Sequence, residues 1–479
     1  MPVDPGSTFN PIVAPALINS ALSLLIPHLR RWHSLTIFTD TWAPMFIALD
    51  MINPSITTLG APLLESLTLM RCNDFVSFSP EFRPRQLAKP AFLRRKKKAC
   101  AGAGSQCSQQ PKTTTTTTNV LPRLKHLTLK GVHFDWPALA DAMEASQVGG
   151  LKSLSLASHS LQVRPCRRDF RRLLSASPGL EVLNVSGSGP IPEEHPSSSE
   201  GGNTSGKDKV RLGKLRKLAV GYRSLREARA VCDSIWTPSV KEMVLEDVAH
   251  PGEVNDVDGN RVLGCLCKGK GDVEEGSLQV EELTLRNVKL GKRSIDRDTL
   301  RTVLDGATRL RKLKAEDVGV ETVLAALIPE DEQDGRYPCP ELETLSVKTG
   351  AACCSSSLSP LDDVPGWFEM TKRLAEGRTR KTSPLRQIKI CMELPHGSQP
   401  AVAERVEAVV AGTTFVAIEV KEKTRICDMD EDEEADDEAE AYLPGGTFND
   451  PIFDAYWGSS SPAFRGAGEQ ISAKFGVAV

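Results

Sequence analysis

The amino-acid sequence predicts an α/β chain: an irregular leucine-rich-repeat solenoid with a parallel concave sheet and convex helices, carrying disordered insertions and a disordered C-terminal tail. Three observations carry that expectation. A short phrase, Leu-x-x-Leu-x-aliphatic, returns along the chain. Its copies stand at spacings that leave room for one strand and one return segment. The segments between them place apolar residues at three- and four-residue steps, the period of a half-buried helix.

The plainest copies begin at Leu64, Leu124, Leu151, Leu180, Leu215, Leu310 and Leu342, and looser ones at Trp32, Val240, Val280, Leu385 and Phe415. With Leu at roughly one residue in nine, chance supplies about two matches with Leu at both the first and fourth positions. The sequence holds seven, the plain copies just named. Most neighbouring starts lie roughly 25 to 43 residues apart, within the range of solenoid repeats. The long gap from Leu64 to Leu124 contains an insertion.

Each phrase reads as a strand whose alternate side chains face opposite ways. The fourth and sixth positions then point into a core built by stacking: Leu67, Leu69, Leu127, Leu129, Leu154, Leu156, Leu283, Leu285, Leu313 and Leu345. One repeat cannot cover its own leucines, so stability comes from its neighbours. Helices are expected over Asp169 to Ser175, Ser224 to Ile235, Asp296 to Ala307, Trp367 to Glu376 and Val402 to Val410. The Asn or Cys that closes a standard leucine-rich repeat survives only as Cys72, with Val132, Val248, Val288 and Val318 in its place elsewhere. No asparagine ladder is therefore expected.

The domain reading is an N-terminal extension over 1–20, the solenoid over 21–425 and an acidic disordered tail over 426–479. Two insertions, about 83–119 and 192–209, interrupt the array. The first holds a basic run, Arg94 to Lys98, and six threonines from Thr113; the second is rich in Ser, Gly and charge. Neither can bury enough apolar surface to offset chain entropy. In the tail, Asp428 to Glu440 is dense in like charge, followed by Phe448, Phe453, Tyr456, Trp457 and Phe464.

Composition narrows the function classes. The net charge of -3 over 479 residues points to neither nucleic acid nor a membrane surface as partner. The apolar stretch Ala14 to Ile26 is broken by Asn19 and Ser20 and is too short to span a bilayer, and it lacks a basic flank. Twelve cysteines occur without a single CxxC, which fits a reduced intracellular chain, cytoplasmic or nuclear. The sequence has no HExxH, GxSxG or strand-associated GxGxxG, and its eight histidines are scattered. A near-match to a phosphate-binding loop at Gly201 to Lys207 carries Asp208 where magnesium needs a hydroxyl. No catalytic, cofactor-binding or metal-binding residues are assigned, and no cofactor is expected.

The stretch LLIPHLRRWHSLTIFTDTWAP, Leu24 to Pro44, together with the repeats that follow, resembles the fungal F-box-type leucine-rich-repeat proteins, and the resemblance covers roughly residues 20 to 425. It implies a substrate receptor of a cullin-type ubiquitin ligase, with repeats that hold the target. No F-box pattern precedes the repeats in MPVDPGSTFNPIV. A Skp-type adaptor is thus expected only if an F-box lies upstream.

The expected partner is a protein on the concave face. Strand alternation assigns that face to the third, fifth and seventh phrase positions: Ser66, Thr68, His126, Thr128, Lys130, Ser153, Ser155 and Asn184 in a hydroxyl-rich first half, and Glu242, Glu246, Glu282, Arg286, Lys312, Lys314, Glu316, Lys348 and Lys389 in a charged second half. The alternative is a nuclear or nucleic-acid-associated scaffold that uses the basic loop at Arg94 to Lys98.

Overall fold

The computed structural model of the chain describes residues 15–39, 42–71, 93, 120–145, 150–192, 209–249, 259–267, 279–290, 294–329, 336–349, 360–381, 385–394, 416–422 and 476–478. All twelve phrases are strands. In chain order they are β1 (Ser34–Thr39), β2 (Ser66–Arg71), β3 (His126–Lys130), β4 (Ser153–Ala157), β5 (Val182–Ser186), β7 (Lys217–Tyr222), β9 (Glu242–Asp247), β10 (Glu282–Arg286), β11 (Lys312–Glu316), β12 (Thr344–Thr349), β13 (Gln387–Leu394) and β14 (Val416–Glu422). They lie side by side in that order and pair in parallel throughout. Two short strands between them, β6 (Val210–Arg211) and β8 (Ile235–Trp236), form a separate parallel pair.

From β1 to β13 the register is the same at every step, so equivalent phrase positions stack; β14 is offset by two residues, with Ile388 opposite Val416. Leu67 pairs with Leu127, Leu127 with Leu154 and Leu154 with Leu183. All ten leucines expected in the core are buried. At the strand entrances one main-chain carbonyl takes two successive N–H groups from the next repeat. Glu65 accepts from Lys125 and His126, Lys125 from Lys152 and Ser153, and Glu281 from Arg311 and Lys312.

Helices return the chain along one side of the sheet: α1 (Pro15–Leu25), α2 (Trp42–Leu59), α3 (Trp136–Glu144), α4 (Arg167–Ser175), α5 (Leu225–Cys232), α6 (Gly259–Cys267), α7 (Ser294–Gly306), α8 (Val320–Leu327) and α9 (Pro360–Lys381). Phe170, Leu173, Leu300, Leu304, Val323 and Leu324 join the sheet leucines in one core. Local chemistry starts several of them. The Asp135 carboxylate accepts from Ala138 N at 3.3 Å, and Ser224 Oγ accepts from Glu227 N at 3.3 Å.

The structure changes several expectations. The helix expected to reach Ile235 ends at Cys232, and Ile235 belongs to β8. The one expected over Trp367 to Glu376 runs from Pro360 to Lys381. Helix α1 begins within the presumed N-terminal extension and buries Ile18 and Leu22 in the core. Leu93, inside the first insertion, is also buried there. Gly476–Ala478, at the end of the tail, forms β15 and pairs antiparallel with β1. Val402 to Val410, the basic run Arg94 to Lys98 and the acidic run Asp428 to Glu440 lie outside the described residues.

In place of an asparagine ladder, five strand exits carry a left-handed residue. Gly131, Ser158, Gly187, Asn287 and Asp317 have φ of 61°, 54°, 55°, 51° and 53°. Each follows a strand directly and donates its N–H to the carbonyl at the seventh phrase position of the next repeat: Ala157, Ser186, Gly221, Glu316 and Lys348. Gly, Asn, Asp and Ser suit this conformation because they have no Cβ or a short polar side chain. Val132, Val288 and Val318 are buried apolar residues one step further on.

Candidate functional site

The helices cover one face of the sheet and the third and fifth phrase positions line the other, the concave one. In the first half the third-position line runs Ser34, Ser66, His126, Ser153 and the fifth-position line Thr36, Thr68, Thr128, Ser155, Asn184. Ser66, Thr68, Thr128, Ser153 and Asn184 are half-buried and His126 is exposed. Lys130 and Ser155, the other two residues assigned to this face in the first half, are buried. Lys130 is the last residue of its strand, and Ser155 stands in register between Thr128 and Asn184 on the neighbouring strands.

In the second half the charges are turned to each other. Glu282 meets Lys314 at 2.7 Å and Lys312 at 3.6 Å, Arg286 meets Glu316 at 2.8 Å, and Glu242 meets Lys217 at 3.1 Å. Burial pushes the Glu282 carboxyl up, but the hydrogen bonds and charges of Lys314 and Lys312 outweigh it and hold the group below the usual carboxylate range. Glu246, Lys314, Glu316 and Lys389 are half-buried, while Glu242 and Lys348 are exposed. Cross-strand pairs of this kind order the face as much as they charge it.

A second polar region, missed in the sequence, lies where β4, β5 and β7 end. The His159 main-chain N–H donates to Ser188 Oγ at 2.9 Å, and His159 Nδ1 shares the same oxygen at 2.9 Å. Arg164 donates through Nε to the His159 carbonyl at 3.0 Å and pairs with Glu227 at 2.7 Å. Glu227 also accepts from Arg223 N at 3.1 Å. The His159 ring stands edge-on to Trp136, 5.6 Å between centroids, and Trp136 Nε1 donates to the Val163 carbonyl. Burial, then the charges of His133, Arg164 and Arg71, push His159 down to about 3. It is therefore neutral at physiological pH. The network ties three consecutive repeats together through buried atoms, and its members come from loops without the phrase.

Among the described residues no group of three or more His, Cys, Asp or Glu could hold a metal ion, and no helix is long and apolar enough to cross a membrane. No family model matches the chain. No curated protein matches it either. Among solved structures it is similar to one titled "Crystal structure of TLR13-ssRNA13 complex", with 14% identity and a TM-score of 0.33, over 64% of this chain and 37% of that one.

Proposed function

We propose that the chain is a non-catalytic scaffold that takes a protein partner on its concave face. The observation that carries this reading is the register shared by β1 to β13: third and fifth positions form continuous lines across these parallel strands, on the side that the helices leave bare. An extended face of this kind suits a macromolecular surface better than a small molecule. Its first half offers hydroxyls and amide groups for hydrogen bonds, and its paired second half offers complementary charge that sets orientation.

A photo-crosslinking side chain placed singly at Ser66, Thr128 or Lys314, and for comparison at Arg297 or Arg301 of α7, tests it in cells. Covalent capture of the same protein from the sheet positions, and not from α7, supports the reading. Equal capture from both sets refutes it.

A role as substrate receptor of a cullin-type ubiquitin ligase is the finer form of this proposal, supported by the resemblance of Leu24 to Pro44 and the repeats. Co-expression with a Skp-type adaptor tests it. A stable complex supports a ligase subunit, whereas its absence leaves a stand-alone binder.

A further inference from the structure

On the helix side of the solenoid, cationic side chains gather around the last turn of α5. Arg171 Nη2 donates to the Asp233 carbonyl at 3.3 Å, Arg167 Nη2 reaches the same oxygen at 3.5 Å, and Lys209 Nζ donates to the Cys232 carbonyl at 3.2 Å. These carbonyls are the unsatisfied end of the helix and carry its partial negative charge, which accounts for cations there. It does not account for the strand pair beside them. Val210 N donates to Ser234 O and Leu212 N to Trp236 O, which sets β6 against β8. The Arg211 guanidinium then lies over the Trp236 ring, 4.6 Å from its centroid. Trp236 is 46% exposed. A half-exposed indole stacked by an arginine, beside three more cations, is an unusual surface for a residue with no packing duty.

We infer that this patch binds single-stranded nucleic acid, independently of the concave face. Phosphates meet Arg167, Arg171 and Lys209, and one base stacks on the Trp236–Arg211 pair. Arg167 and Arg171 are one helical turn apart on the same face of α4, so they present two cations in line along a backbone. A run of acidic side chains would use the cations but offers no ring to the exposed indole, whereas every base has a π-face. Of the acidic residues close to this group in sequence, Asp208 adjoins Lys209, Asp233 lies three residues before Trp236, and Asp169 is turned to Arg172 at 3.7 Å.

The test uses the full chain with Arg94 to Lys98 replaced by glutamines, so that this basic run cannot supply the binding. The readout is fluorescence anisotropy of a labelled eight-nucleotide oligo(dT). Three cations on phosphates predict a slope of log K against log salt of about -2, falling to about -0.7 when Arg167→Gln and Arg171→Gln are combined. Trp236→Leu, which keeps an apolar side chain and removes the ring, weakens binding about tenfold, and Trp236→Phe largely restores it. Circular dichroism confirms that each variant is folded. Absence of oligonucleotide binding, or binding unchanged by Trp236→Leu, overturns the inference. So does competition by poly-glutamate as strong as that by unlabelled oligo(dT), which would mark an acidic protein partner instead.

Discussion

Leu154 stands in register between Leu127 and Leu183 and is 1% exposed. Its replacement by Ala removes burial on both sides and leaves a cavity, so Leu154→Ala is expected to cost about 2 to 5 kcal/mol in urea unfolding. That position was readable because the phrase repeats it. Asn287, with φ of 51°, was not, since a single Asn after a strand carries no period. Asn287→Gly is expected to be close to neutral, and Asn287→Val to cost about 1 to 2 kcal/mol, because a branched Cβ strains the left-handed backbone. His159 sets a pH dependence. Its folded value of about 3 lies below the unfolded value, so the neutral ring favours the fold above pH 6.5, and that contribution is lost as pH falls toward 3. Thermal midpoints of the wild type should drop over that range, and His159→Asn should flatten the decline. An unchanged decline would place the acid sensitivity elsewhere.

Among the elements, strands were the most legible and connections the least. The twelve phrases place the twelve strands that run parallel in the main sheet, and not the short pair β6 and β8, because leucine spacing and strand alternation are the same signal. Helix ends depend on single caps and on tertiary partners, so α9 runs well beyond the window its apolar residues outline. Its far end is fixed by Arg378, fully buried, whose Nη atoms donate to the carbonyls of Pro338, Cys339 and Pro340 at 2.9, 2.8 and 3.2 Å. Gly377 beside it leaves room for the Tyr337 hydroxyl, into which any Cβ would run. Three carbonyls hydrogen-bonded to one buried cation make Arg378→Met costly, about 3 kcal/mol or more, because truncation strands acceptors that water cannot reach. Lys372→Ala, on the exposed side of the same helix, should change the unfolding midpoint little. Equal effects would show that α9 is held by its apolar face alone.

Across the whole molecule, one register carried over eleven strands, β1 to β13 of the main sheet, turns a local phrase into a continuous surface. The concave lines were legible from alternation, including Ser66, Thr68, His126, Lys312 and Lys314. Burial of Lys130 and Ser155 was not, because it depends on what the neighbouring strands carry beside them. The mutual pairing of Glu282 with Lys312 and Lys314 depends likewise on which repeats stand side by side. The central claim is that this face, and not the helical one, holds the protein partner. The most direct measurement is the affinity of the captured partner for two double reversals, Lys312→Glu with Lys314→Glu and Arg297→Glu with Arg301→Glu, each checked for folding by circular dichroism. The concave pair should weaken binding by about tenfold or more, since it replaces a paired surface with repelling carboxylates, and the α7 pair should stay within about twofold. Equal losses from the two pairs would contradict a concave binding face.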